Sequence, residues 1–279
     1  MMQLWCNGQW LDPLDFSTAP TDRGLMHGLG LFETILVLDG RPVFADLHLA
    51  RLRDGCKRLG WPIEANDLPQ AMAELIKLNE LETGRARVRL AMTAGSGGIH
   101  DLTQGSDHVV WMTATSAADA PPTTTANISP WVRNERSPLA GLKCASYAEN
   151  LLALRHADAL GFEETLFFNS AGHLCEAATS NVFLVDDNVV LTPPLSSGCL
   201  PGVTRAVVIS LAAKLGISCR ECDLTADDLH VADELFLTSS IRGVMGLSRL
   251  ESRELSDGPV TRVLREAWKG AIREAASLL

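Results

Sequence analysis

Apolar positions along the chain follow two periods, and the change from one to the other marks out its elements. Leu49, Leu52, Cys56 and Leu59 recur at helical spacing behind Asp46, which predicts an amphipathic surface helix with Asp46 as its cap. A second helix of this kind is expected from about residue 67 to 78, and further helices over 148–160, 202–215 and 259–278. Short runs of Val, Leu, Phe and Thr bounded by Asn, Gly and Asp predict strands at 86–93, 108–115, 164–168, 174–175, 182–185 and 189–192. A hairpin-like start at 4–11 precedes them. The fold class expected is α/β (α+β). Composition breaks once, in the Ser/Ala/Pro/Thr stretch 116–125 with Pro121 and Pro122. An N-terminal α+β domain over 1–115, a linker over 116–125 and a C-terminal α/β domain over 126–279 are therefore expected.

Charge narrows the function classes. A formal net charge of -10 argues against a nucleic-acid or anionic-membrane surface, since those partners reward clustered Lys and Arg. No apolar run approaches the ~20 residues that cross a bilayer, and the opening residues Gln3, Trp5, Asn7 and Gly8 lack a basic leader pattern. A cytoplasmic protein is expected. The odd count of seven Cys without framework spacing predicts reduced thiols.

Several motifs carry no chemistry. Gly28-Leu29-Gly30 lacks the third glycine and the strand–turn–helix setting of a dinucleotide site. Cys219 and Cys222 form a single CxxC, the seven His never fall at HxH or HExxH spacing, and no metal is assigned. No G-x-S-x-G elbow supports a hydrolase.

Lysine is informative because it is scarce. Of five lysines, Lys57, Lys77, Lys214 and Lys269 fall in expected amphipathic helices, where a solvated ammonium is ordinary. Lys143 instead follows the apolar approach Pro138-Leu139-Ala140-Gly141-Leu142, which would carry the amine inward and favour its neutral, nucleophilic form. Further along stands Glu176-Ala177-Ala178-Thr179-Ser180-Asn181-Val182-Phe183, an acid entering a small-residue turn before an apolar strand.

Lys143 with this Glu-x-x-x-Ser-Asn-x-Phe segment resembles the class IV aminotransferase family, the fold type IV enzymes of pyridoxal 5'-phosphate (PLP). The likeness runs from Asp22-Arg23-Gly24 through Phe32-Glu33-Thr34 to Thr238-Ser239-Ser240. It implies a two-domain enzyme, usually a homodimer, with PLP in the cleft between the domains. It implies that Lys143 forms the internal aldimine and, once freed, moves the substrate Cα proton. Glu176 would pair with the pyridine nitrogen, whose positive charge makes the ring an electron sink.

The resemblance also assigns a phosphate cup. Val203 and Thr204 open a helix after Leu200-Pro201-Gly202, Ser240 and Ile241 close a turn, and Arg51 in His48-x-x-Arg51-Leu52 reaches in from the first domain. Tyr147, the one tyrosine, is either a donor to the cofactor's phenolic oxygen or a packed aromatic. His27, Phe32, the stretch 95–100 with His100, Arg89 and Arg242 are expected on the substrate side.

Within the family, Arg87-Val88-Arg89-Leu90, Gly95-Ser96-Gly97-Gly98 and Ser240-Ile241-Arg242-Gly243 look most like the 4-amino-4-deoxychorismate lyases, while Glu33 and Ile99 depart from many of them. A lyase would release pyruvate and leave 4-aminobenzoate, the folate precursor. An amino-acid or amine aminotransferase, of D-amino-acid or branched-chain type, is the alternative: His100 fits the D-amino-acid type, and one tyrosine is too few for the branched-chain pocket.

Overall fold

The computed structural model describes residues 2–61, 67–98, 100 and 107–277. Two compact units emerge: residues 1–119 with 142–147 and 272–279, and residues 120–141 with 148–271.

The first unit is built on a hairpin, β1 (Leu4–Cys6) and β2 (Gln9–Leu11), a one-turn helix α1 (Arg23–His27), and the long strand β3 (Gly30–Leu38). Then come β4 (Arg41–Pro42), the helices α2 (Ala45–Leu59) and α3 (Leu68–Leu78), and the strands β5 (Arg85–Thr93) and β6 (Val110–Ser116). The strands join in one sheet of order β2-β1-β6-β5-β3-β4. Leu31, Ile35 and Val37 of β3 and Val88, Leu90 and Met92 of β5 pack with Leu49, Leu52 and Cys56 of α2 and Met72, Leu75 and Ile76 of α3. The amphipathic spacing of both helices is what buries them there.

Strand β3 escapes the alternation rule. Most of its residues on both faces are buried, so its sequence reads as a continuous apolar run without period two. Asp46 is not a cap, as expected from its position, but lies in the first turn of α2 behind Phe44, which takes the N-cap place at φ 53° without a side-chain bond. A carboxylate in the first turn still opposes the positive end of the helix dipole.

The second unit contains β7 (Thr123–Ile128), α4 (Ala148–Ala159), β8 (Glu164–Phe168), β9 (Leu174–Ala177), β10 (Asn181–Asp186), β11 (Val189–Thr192), α5 (Val203–Lys214) and β12 (Cys219–Glu221). It continues through α6 (Ala226–Val231), β13 (Glu234–Ser239), β14 (Gly243–Leu250) and β15 (Arg253–Glu254), after which α7 runs over Pro259–Ser277. Its strands follow the order β12-β11-β10-β13-β14-β7-β8-β9, with β15 on β14. The segment 116–125 holds the last residue of β6 and the first three of β7. Among the described residues no helix is long and apolar enough to cross a membrane, and no group of three or more His, Cys, Asp or Glu could hold a metal. All seven cysteines are free.

Leu75, fully enclosed between α3 and the first sheet, is a direct probe of this packing. Leu75→Ala should lower unfolding free energy by about 2–5 kcal/mol, read from the urea midpoint at unchanged slope.

Candidate active site

In the first unit the lysine segment is held by strand pairing. Phe32 N–H donates to Lys143 O at 2.9 Å, Ala145 N–H donates to Gly30 O at 2.8 Å, and Leu31 faces Cys144 in an antiparallel bridge. Residues 143–145 thus extend the edge of β3 opposite β5. Gly30 is needed for that approach, because a Cβ there would lie 2.8 Å from Met92 O and 3.1 Å from Ala145 Cβ. Leu142 and Cys144 pack on the core of the sheet. Alternation along an extended segment therefore turns Lys143 to the other face.

On that face Phe32 gathers the candidate groups. Lys143 Nζ lies 4.3 Å from its ring centroid and the Arg89 guanidinium carbon 3.5 Å. Tyr147 meets the same ring edge-on at 5.5 Å and 83°. Cation–π attraction favours both cations there, and the aromatic edge contact fixes the tyrosine. Arg89 also reaches Thr34 Oγ1 at 3.5 Å, its partner in the β3–β5 register.

The preceding loop is bound to this segment. His27 ends α1 and is exposed, while Gly28 caps that helix at φ 67° and accepts Ser146 Oγ–H at 3.1 Å. Asp22 caps the start of α1 and takes the Thr93 hydroxyl at 2.6 Å; buried Arg23 donates to the carbonyls of Ala94 and Gly95. His100 is exposed, and Ile99 lies outside the described residues.

The other face of β3 carries an ion cluster. Glu33, 1% exposed, accepts a fork from Arg51, Nε to Oε1 at 2.8 Å and Nη2 to Oε2 at 2.6 Å, with His48 Nδ1 2.7 Å from Oε2. Burial alone would push the Glu33 carboxyl up, but the bonds and charges of Arg51 and His48 outweigh it and hold it at about 2. Burial depresses His48 in turn, against the opposing pull of Glu33. Arg51 thus engages Glu33 through Nε and Nη2.

In the second unit Glu176 stands on β9, opposite Phe167 of β8. Its Oε2 accepts Leu200 N–H at 2.9 Å and its Oε1 lies 3.6 Å from Arg133 Nη2. Arg133 also bonds Glu149 and Asn150 Oδ1, and its guanidinium lies 4.3 Å from the Phe167 centroid. Glu176 is therefore set as an oriented carboxylate with a cation behind it.

Leu200 leads to α5, whose N-cap Gly202 supplies no side-chain bond, leaving the first N–H groups of this twelve-residue helix without a side-chain cap. A Cβ on Gly202 would stand 2.0 Å from Asn181 Oδ1, and Asn181 Nδ2 donates to Leu200 O at 2.8 Å. Val203 and Thr204 are buried at this end. Helix α5 packs against β13, where the buried Thr238 hydroxyl has no hydrogen-bond partner among the described residues. Ser239 ends β13, Ser240 and Ile241 follow in the turn to β14, and Gly243 at φ 70° lets the chain lie on the Trp268 ring there. An uncapped helix start, a buried threonine and an unpaired hydroxyl fit a phosphate group.

Arg242, in the same turn, donates through Nη2 to Thr179 Oγ1 at 2.5 Å and Ser180 Oγ at 3.1 Å, 3.7 Å from Glu164 Oε2. Glu164 is wholly buried, and burial pushes it up to about 7 against the opposing pull of Arg242 and Thr179, with Glu176 adding to the rise. Neither Arg133 nor Glu164 stands out in the sequence. The one signal was an acid opening the buried strand Thr165–Phe168.

With this geometry in view, the class IV amino-transferase family matches residues 30–250, and the chain belongs to it. The chain is 28% identical to the branched-chain-amino-acid aminotransferase of Escherichia coli strain K12, over 96% of this chain and 92% of that one. It is 26% identical to the aminodeoxychorismate lyase of Bacillus subtilis, over 97% and 94%. The crystal structure of a branched-chain aminotransferase from Thermoproteus uzoniensis with norvaline superposes with a TM-score of 0.91 at 26% identity, covering 99% of this chain and 95% of that one.

Two buried acids should give opposite pH signatures in urea denaturation. Glu33, held at about 2 against roughly 4.3 for an ordinary Glu, stabilises the fold above the latter value and loses that contribution as pH falls toward 2. Wild type should therefore lose stability relative to Glu33→Gln over that acid range. Glu164, raised to about 7, destabilises progressively as pH climbs from about 4.3 to 7, so Glu164→Gln should gain on wild type over that window. Parallel curves for variant and wild type in either window would contradict the assignment.

Proposed function

We propose that the chain is a PLP-dependent lyase that converts 4-amino-4-deoxychorismate to pyruvate and 4-aminobenzoate. As a class IV amino-transferase family member it is an enzyme dependent on pyridoxal 5'-phosphate. When bound, that cofactor supplies an electron sink for negative charge at the substrate Cα.

The chain's own groups divide the remaining work. Lys143 would hold the cofactor's aldehyde through Nζ and would supply the amine that accepts the substrate Cα proton. Glu176, oriented by Leu200 N–H and backed by Arg133, keeps the ring nitrogen protonated. The N–H groups of Val203 and Thr204, the Thr204 hydroxyl and the turn of Ser240 and Ile241 would take the phosphate, with Arg51 as its cation. Tyr147, whose ring meets Phe32 edge-on, would offer its hydroxyl to the phenolic oxygen. His27, Phe32, Arg89, His100 and Arg242 serve the substrate.

One observation carries the choice of an acidic substrate: the Phe32 ring carries Lys143 at 4.3 Å and a guanidinium, Arg89, at 3.5 Å. A cation beside the reactive amine suits a carboxylated substrate and is poorly matched to a branched aliphatic side chain. The single tyrosine of the chain points the same way, since it cannot supply a tyrosine-lined aliphatic pocket. The B. subtilis relative bears the lyase name. Transamination is the second reading, favoured by the E. coli relative, and differs in that no β-substituent of the substrate is expelled. A cytoplasmic homodimer serving folate biosynthesis goes with the lyase reading.

Holoenzyme given 4-amino-4-deoxychorismate alone should release pyruvate and 4-aminobenzoate in equal amounts. Turnover of an amino acid with a 2-oxo acid, and none of the chorismate derivative, would reverse the order of the two readings. Lys143→Ala should lose the visible absorbance of the bound cofactor and roughly 10²–10⁴ in rate. A variant with band and rate intact would remove the lysine from the reaction.

A further inference from the structure

Asn150 is the polar member of a buried stripe. Helix α4 turns Asn150, Ala153 and Ala157 inward, and Ala153 packs with Phe167 of β8 and with Ala178. A buried amide needs both a donor and an acceptor. Asn150 finds the two on either side of Glu176: its Oδ1 accepts from Arg133 Nη1 at 3.3 Å, and its Nδ2 donates to Ala178 O at 2.6 Å. The amide has one workable orientation, because a guanidinium only donates and a carbonyl only accepts.

Those two contacts join the cation behind Glu176 to the turn that follows it. Arg133 does not fix itself. Its Nη2 stands 3.6 Å from Glu176 Oε1, an ion pair too long for a hydrogen bond, and its Nε is buried without a hydrogen-bond acceptor among the described residues. Its other acid, Glu149, has a side chain 48% exposed, and an ion pair open to water holds a long side chain weakly. Asn150, 6% exposed, is the firmer hold. The turn is pinned again by Glu164, which accepts the N–H of Thr179 at 3.2 Å and its hydroxyl at 3.1 Å. Cys175 and Cys199 also lie near Glu176, and burial pushes both thiols up, so neither carries charge near neutral pH.

We propose that Asn150 is a positioning residue for Glu176, holding Arg133 and the 177–180 turn as one unit so that the carboxylate stays charged and aimed. The inference rests on the reading of Glu176 as the partner of the cofactor's ring nitrogen. Its effect therefore reaches the cofactor through that nitrogen, and not through the phosphate or the aldehyde, which the same reading gives to other residues.

The test is an exchange equilibrium on holoenzyme. Added 1-deazapyridoxal 5'-phosphate, whose ring has C–H in place of the nitrogen, competes with the bound cofactor, and released pyridoxal 5'-phosphate is measured. The ratio of the two affinities isolates the nitrogen contact, since phosphate and aldehyde are common to both molecules. Wild type should favour the natural cofactor by about tenfold or more, and Glu176→Ala should remove that preference. Asn150→Leu should cut the preference by about threefold or more. General loosening of the fold would weaken both molecules alike and leave the ratio as it was. Asn150→Asp keeps an acceptor for Arg133 but sets an oxygen against Ala178 O; it should cut the preference too, and it decides the question if Asn150→Leu does not fold. No preference in wild type, or one that survives Glu176→Ala, removes the Glu176 reading and this inference with it. A preference lost in Glu176→Ala but intact in the Asn150 variants overturns this inference alone. The exchange needs no turnover, so its result is independent of the choice between lyase and transaminase.

Discussion

Two backbone hydrogen bonds, Phe32 N–H to Lys143 O and Ala145 N–H to Gly30 O, decide where the lysine points. Because side chains alternate along a paired strand, Leu142 and Cys144 enter the core only if Lys143 faces away from it. A one-residue slip would bury the ammonium among Leu31, Leu52 and Met92 and expose two apolar side chains, a cost that fixes the register. Phe32, from the neighbouring strand, then receives the amine. The lysine's position is a by-product of core packing on the opposite face.

Much of this was legible before any coordinates. The helices α2, α3, α4, α5 and α7 and the strands flanking Glu176 fall within a few residues of where periodicity places them. Strand β3 was missed because a strand buried on both sides loses the alternation by which strands are recognised. Lys143 and Glu176 were legible from scarcity and from the small-residue turn. Arg133 and Glu164 were not, since each gains its meaning only from a partner that is remote in sequence and adjacent in the fold. Glu33 and Arg51 were both noticed, yet their mutual fork follows from β3 and α2 packing together, which no local pattern encodes.

Three carboxylates share one solution to burial. Glu33 faces Arg51, Glu176 faces Arg133, and Glu164 faces Arg242. In each case the cation is arginine, whose planar and weakly hydrated head tolerates a dry setting and divides its donors between partners. With arginine as the cation of all three pairs, an ammonium at Lys143 is chemically distinct from those cations. Glycine plays the matching role for the backbone, at Gly202 against Asn181 and at Gly243 against Trp268.

The solitary phenol has a practical value beyond its contact with Phe32. Since Tyr147 is the one tyrosine of the chain and lies just past Lys143, ring-labelled tyrosine would give a magnetic-resonance spectrum with a single reporter, already seated beside the amine. Its ring-current shift from Phe32 and its flipping rate would register events at the lysine without any engineered tag, and without assignment of the remaining resonances.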